Sequence, residues 1–159
     1  MNNYNCSIDV GTINNAISLW NNNILIDFFI IEIKNEIEFL NKMNFFNFEN
    51  YNLIILEKQL SKNTKAKCLE SQFLLYFRMK YPNIKIYLFP PKNKYLDIDR
   101  NLVKTKYQRK KCTVEFVKQW LENKSSLELF KKFSDLEKKD DVADSIKMKI
   151  EYDKFILSS

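Results

Sequence analysis

Residues 4–31 read YNCSIDVGTINNAISLWNNNILIDFFII, and the reading of this stretch decides the fold. Tyr4 to Val10 alternates loosely between apolar and polar residues and stops at Gly11, as a strand does. AISLW (16–20), the polar NNN (21–23) and ILIDFFII (24–31) then predict a hairpin. Three strands in succession open the chain. Downstream the pattern changes. KNEIEFLNKM (34–43) places Ile37, Leu40 and Met43 at three-residue steps and predicts a helix. NLIILE (52–57) is a near-continuous apolar run of the kind found in a buried central strand. LESQFLLYFRMK (69–80) predicts a helix stopped by Tyr81-Pro82-Asn83. IKIYLF (84–89) predicts a strand ended by Pro90-Pro91. CTVEFVKQWLEN (112–123), with Val114, Val117 and Leu121 on one side, and the segment from Asp140 through VADSIKMKI complete the set as helices. The order β-β-β-α-β-α-β-α-α predicts an α/β fold with a mixed five-stranded sheet flanked by helices. Phe73, Tyr76, Phe77, Trp20 and Trp120 are the expected core aromatics. No Gly/Ser-rich or Pro-rich linker interrupts the chain, so residues 1–159 are expected to form one domain.

Composition narrows the chemistry. The chain has no histidine, and Cys6, Cys68 and Cys112 lie far apart. That excludes a Cys/His zinc site and histidine-based catalysis, and it suits free thiols in a reducing, intracellular setting. The net charge of +6 fits a polyanionic partner such as nucleic acid, though many solvated surfaces look the same. The first residues are polar, with no visible signal peptide. The most apolar stretch, Ile24 to Ile33, is broken by Asp27 and Glu32 and is too short to span a membrane.

Against this basic background the carboxylates stand out. Asp9 lies inside the first strand between Ile8 and Val10, and Glu57 ends the apolar strand. A carboxylate buried in a strand costs several kcal/mol unless paired, neutralised or metal-bound. The first and fourth strands are expected to be parallel neighbours, which would bring Asp9 and Glu57 side by side at their carboxyl ends, where α/β sheets place ligands. KKDDVADSI (138–146) adds three acids in five positions. Asp141 and Asp144 are three apart and Asp140 and Asp144 four apart, so either pair shares a helix face. Taken singly, each acid could bond a turn, pair with a lysine such as Lys58, or cap a helix. Taken together, they make an oxygen-only set suited to Mg²⁺ or Mn²⁺. With two ions the natural chemistry is in-line displacement at phosphorus.

CSIDVGTINNA, ILEKQ, KYQRKKCTVEF and DDVADS resemble, in that order, motifs of the RuvC-type Holliday-junction resolvases, above all the poxvirus-type branch found in large DNA viruses. The resemblance covers roughly residues 4–150. It implies an RNase H-like fold, a homodimer, and cleavage of four-way DNA junctions by paired symmetric nicks with two divalent metal ions, Mg²⁺ or in its place Mn²⁺. It also implies a metal-binding, catalytic set of Asp9, Glu57, Asp141 and Asp144, with Asp140 left as a cap or an outer group. A viral origin would place the protein in the infected host cell. The chain departs from the bacterial branch in carrying Val10 where a proline is usual, and from some viral relatives in carrying Ile13 at a basic position, beside a matching Asn14.

Lys104-Thr105-Lys106-Tyr107-Gln108-Arg109-Lys110-Lys111 has five positive charges and no acid. It reads either as a solvated helix start or as a phosphate contact, because cations at a helix N-terminus oppose the dipole. The resemblance implies that this segment faces DNA and places a lysine, Lys110 or Lys111, near the scissile phosphate. By the same likeness Lys62, Lys65 and Lys67 form a second wall of the DNA groove. Such contacts supply affinity and salt dependence rather than sequence choice. Two other readings fit the residues: an RNase H-fold nuclease for flaps or RNA–DNA hybrids, and a branched-DNA-binding protein without catalysis.

Overall fold

The structure is a computed structural model that describes residues 3–95, 97, 103 and 105–157. Three antiparallel strands come first: β1 (Tyr4–Asp9), β2 (Asn14–Asn21) and β3 (Ile24–Glu32). Helix α1 (Glu36–Met43) leads to β4 (Tyr51–Glu57), α2 (Thr64–Lys80) and β5 (Lys85–Phe89). A 3₁₀ turn over Pro91–Tyr95 follows, then α3 (Lys106–Lys124), α4 (Leu127–Asp135) and α5 (Lys139–Leu157). The sheet order is β3-β2-β1-β4-β5, with β4 and β5 parallel to β1. This is the mixed five-stranded sheet expected from the element order.

Strand parity sends alternate side chains to opposite layers. Cys6, Ile8, Ile54 and Leu56 face α1 and α2, in a core with Phe39, Phe73 and Phe77. The other face carries Ala16, Trp20, Leu25 and Phe28 against Val117, Leu121, Phe133, Val142, Ala143 and Ile146 from α3, α4 and α5. Leu25 and Phe28 share that face despite their odd spacing because the β2–β3 register shifts at Leu19/Trp20, leaving Ile26 as the unpaired residue of a bulge. Asp9 follows Ser7 on the α5 face, and Glu57 follows Ile55 there. Pairing of Ile8 with Leu56 and of Glu57 with Phe89 puts the ends of β1, β4 and β5 at one level. The site is therefore fixed by register before any side-chain contact is considered.

Small residues let α5 lie close on the sheet. Ser7 Oγ donates to the Ser145 carbonyl at 2.7 Å, Ser145 Oγ donates to the Ser7 carbonyl at 2.9 Å, and Ser18 Oγ joins them while accepting from Trp20 Nε1. All three serines are fully buried, and their hydroxyls satisfy one another. Gly11 turns the chain out of β1: a Cβ there would stand 2.1 Å from the Asn14 carbonyl oxygen. The hairpin turns at Asn22, whose φ of 53° is a left-handed conformation that asparagine tolerates.

Phe73, Tyr76, Phe77 and Trp20 are core, and Trp120 is half-buried against Trp20. Three expectations need correction. Helix α1 buries Phe39 and Met43 through an i, i+4 stripe, while Ile37 and Leu40 face solvent. Helix α3 begins at Lys106, so most of the basic segment is its first turns; a capping box between Thr105 and Gln108 satisfies the amides that the cations cannot. Helix α4 was not foreseen, although Ser126 caps it through the Leu129 amide and Leu129, Phe130 and Phe133 make an apolar stripe. No helix among the described residues is long and apolar enough to cross a membrane.

Candidate active site

Three of the four expected carboxylates converge on a residue outside the expected set. Lys94, on the 3₁₀ turn just after β5, is only 3% exposed. Its ammonium stands 2.8 Å from Asp9 Oδ1, 2.7 Å from Glu57 Oε1 and 3.1 Å from Asp144 Oδ2. The register explains the meeting. Phe89 ends β5 opposite Glu57, Pro90-Pro91 turns the chain, and the following 3₁₀ turn drops Lys94 into the acids. A signal for it existed in the sequence: three buried carboxylates need a cation, and the first lysines past β5 are the nearest in register.

Burial pulls the Lys94 ammonium towards neutrality, but Asp9, Asp144 and Glu57 outweigh it and hold the amine charged well above the usual lysine range. One ammonium cannot balance three carboxylates. Burial and the charge of Asp9 push Glu57 from 4.5 to about 8 against the pull of Lys94. Burial likewise carries Asp144 from 3.8 to about 6, with Lys94 opposing and Asp9 adding. The cluster thus holds a proton near neutral pH. Tyr95 donates to Asp144 Oδ2 at 3.3 Å, and burial, then the Asp144 charge, keep its hydroxyl protonated.

Asp141 stands at the rim, half-buried, one helical turn from Asp144. Burial and the charges of Asp140 and Asp9 raise its carboxyl. Lys110 bonds Asp140 and lies 3.8 Å from Asp141 Oδ1. At Asp140 burial is outweighed by the Lys110 hydrogen bond and charge, which hold that carboxyl low; its own helix-start amides act in the same direction. Asp140 is therefore the partner of Lys110 in the first turn of α5. Of the two lysine candidates, Lys110 faces the acids from the rim and Lys111 points to solvent. Lys62, Lys65 and Lys106 are exposed, Lys67 pairs with Glu70 at 2.6 Å, and Arg109 lies 5.9 Å over the Tyr95 ring. Lys104 lies outside the described residues.

As they stand, no three acidic groups among the described residues are grouped closely enough to hold an ion, and the Lys94 ammonium holds the centre between them. The donor set nonetheless fits a hard cation. All ligating atoms would be carboxylate oxygens, and Asp144 Oδ1 is buried with no hydrogen-bond partner, an acceptor lacking the positive charge it needs.

Comparisons with known proteins bear on the family and the fold. The family described as "Poxvirus A22 protein" matches residues 4–156. Among curated protein sequences nothing matches. The fold is similar to that of fowlpox virus resolvase, solved with its substrate Holliday-junction DNA, at a TM-score of 0.73 and 20% identity over 97% of this chain and 99% of that one. It is also similar to Thermus thermophilus RuvC bound to a Holliday-junction substrate, at 0.53 and 8% over 96% of each chain. The RuvC structure described without DNA gives 0.55 and 10%, again over 96% of each. These likenesses make the fold RNase H-like.

Proposed function

The chain belongs to the Poxvirus A22 protein family, and we propose that it is a metal-dependent, structure-selective endonuclease that resolves four-way DNA junctions by paired nicks. The observation that carries this reading is the meeting of Asp9, Glu57 and Asp144, from three separate segments, on one buried cation at the carboxyl ends of the sheet. A protein that only bound polyanions would gain nothing from such a cluster. The junction as substrate comes from the family and from the two DNA-bound relatives.

A divalent cation, Mg²⁺ or Mn²⁺ and two of them in the full reading, held by Asp9, Glu57, Asp141 and Asp144 would supply a water of lowered pKa and positive charge for the leaving 3′ oxygen, giving 5′-phosphate and 3′-hydroxyl ends. The residues do the rest. Glu57 and Asp144, whose carboxyls burial raises, would each have to be ionised to hold the cation. Lys94 keeps its charge among the acids and offsets the negative charge that grows at the phosphorus, with Lys110 adding to it from the rim. Lys62, Lys65, Lys106 and Lys111, all exposed, bind phosphates on either side. Two copies pair through the outer face of α2, where Leu75 and Met79 are 60% and 75% exposed, so that two sites serve one junction. The single nuclease domain works in the infected cell, on the branched DNA that replication leaves there.

The test is cleavage of a synthetic four-way junction, with linear duplex as control, in Mg²⁺ and in EDTA. Paired nicks on the junction alone, lost in EDTA, support the reading. Cutting of flaps or RNA–DNA hybrids in preference moves the substrate. Tight junction binding without cutting under any divalent metal leaves a binding protein.

A further inference from the structure

Glu57 has two oxygens, and Lys94 takes only one of them. The other, Oε2, accepts a hydrogen bond of 2.6 Å from Gln59 Nε2. Gln59 is half-buried on the loop that leaves β4, a segment that would swing freely if nothing tied it down. It is tied: its backbone N–H donates to Glu70 Oε2 at 2.5 Å. Glu70 is on α2, 1% exposed, and its remaining oxygen accepts from Lys67 at 2.6 Å. The contacts form one chain, from helix α2 through the Gln59 backbone and then the Gln59 side chain to the outer oxygen of Glu57.

A buried carboxylate is a poor device for stability, since an apolar residue of similar shape in its place is often neutral or better. Glu70 is therefore better explained by what it holds than by what it adds to the core. It fixes one backbone N–H, and that fixes where the Gln59 carboxamide can point. The donor on Oε2 fixes how the carboxylate is turned and leaves Oε1 facing Lys94 and the other acids.

We propose that Gln59, held by Glu70, is a positioning residue that orients Glu57 as a metal ligand. The proposal rests on the metal-dependent reading above, but its test does not need cleavage. Hydrogen-bonding partners behind ligating carboxylates are typically worth about 10–100-fold in metal affinity. Mn²⁺ binding to the full chain is measured by calorimetry for the wild type, Gln59→Ala and Glu70→Leu, alongside thermal melting and junction binding in EDTA. The expected result for Gln59→Ala is an Mn²⁺ dissociation constant raised roughly 10-fold or more, with melting temperature and EDTA junction affinity kept. Where the wild type cleaves, the Mg²⁺ concentration for half-maximal rate rises by more than the rate at saturating Mg²⁺ falls. Glu70→Leu raises the Mn²⁺ constant in the same direction. An Mn²⁺ constant unchanged in folded Gln59→Ala overturns the proposal, as does a lowered melting temperature with metal affinity intact. A wild type that binds Mn²⁺ but cuts no junction defeats the resolvase reading and leaves the Gln59 comparison decisive.

Discussion

Lys94 Nζ and Glu57 Oε1 are 2.7 Å apart, both buried, at the point where β4 and β5 end level with each other. Among the described residues, Lys94 carries the one buried ammonium that contacts Asp9, Glu57 and Asp144. Its loss would leave three acids facing one another in a low-dielectric pocket. Lys94→Met is expected to lower metal-free stability by about 3–5 kcal/mol, the usual cost of breaking a buried ionic cluster. Mg²⁺ should restore more melting temperature to the variant than to the wild type, because the cation supplies the missing charge. Single-turnover cleavage at saturating Mg²⁺ should fall about 100-fold or more, as when one preorganised charge-stabilising group is removed. Melting curves with and without Mg²⁺, and junction cleavage in parallel, check both parts.

The same cluster predicts a pH dependence whose sign follows from its protons. Glu57 is raised from 4.5 to about 8 and Asp144 from 3.8 to about 6, so the folded, metal-free chain binds more protons than the unfolded one in between. Stability from these groups is complete below about pH 4 and is lost as pH rises through about 6 and then about 8. A cation binds the ionised forms, so its affinity runs the other way and tightens over the same window. Denaturant titrations in EDTA from pH 5 to 8.5 should show the metal-free chain weakening. Mn²⁺ calorimetry across that range should show affinity rising, with protons released on binding at pH 7.

Local periodicity and register carried the fold and the nearness of Asp9 to Glu57, whereas spacing left Asp140 and Asp141 as equal partners for Asp144 and the family resemblance favoured Asp141. Alternation in Tyr4 to Val10, the apolar run before Glu57 and the three-residue step from Asp141 to Asp144 are all written within a few positions. Lys94 depends on a different kind of information. PPKNKY has no periodicity, and two lysines in it look alike until the level of β5 relative to β4 selects one. The Gln59–Glu70 contact spans a loop and a helix and leaves no pattern, although the ILEKQ stretch that carries Glu57 ends on Gln59. In α1 the three-residue steps mark the helix but not its buried stripe, which Phe39 sets by packing on Phe73 and Tyr76 across the layer while Ile37 and Leu40 stay exposed.

Gly11 lies two residues past Asp9, and the space beside it is closed by backbone. A Cβ placed 2.1 Å from the Asn14 carbonyl oxygen cannot be relieved by turning a side chain, so β1 or the turn must shift. Gly11→Ala is expected to cost about 1–3 kcal/mol, the range for forced overpacking. The strain falls on the β1–β2 connection, next to Asp9, a ligand in the proposed reading, so Mn²⁺ affinity should drop along with the urea midpoint. Unchanged urea curves for Gly11→Ala would show that the turn absorbs the methyl group.

The adjacent acids Asp140 and Asp141 should part company when each loses its charge. Asp140 faces Lys110 on a surface where both side chains keep about a third of their exposure, and such pairs contribute roughly 0–1 kcal/mol. Asp140→Asn keeps a polar group at the helix start, so stability should move by less than about 1 kcal/mol and cleavage should fall only slightly. Asp141 has its carboxyl raised partly by the charge of Asp9, which puts it in the field of the cluster. Under the proposed metal-dependent reading, Asp141→Asn removes a ligand. Cleavage should fall at least about 100-fold, the scale on which an electrostatic group of an active site is missed, while junction binding in EDTA holds or tightens as one negative charge leaves the DNA face. Equal losses from the two variants would instead give Asp140 and Asp141 a shared role, with Lys110 bridging both to the cation.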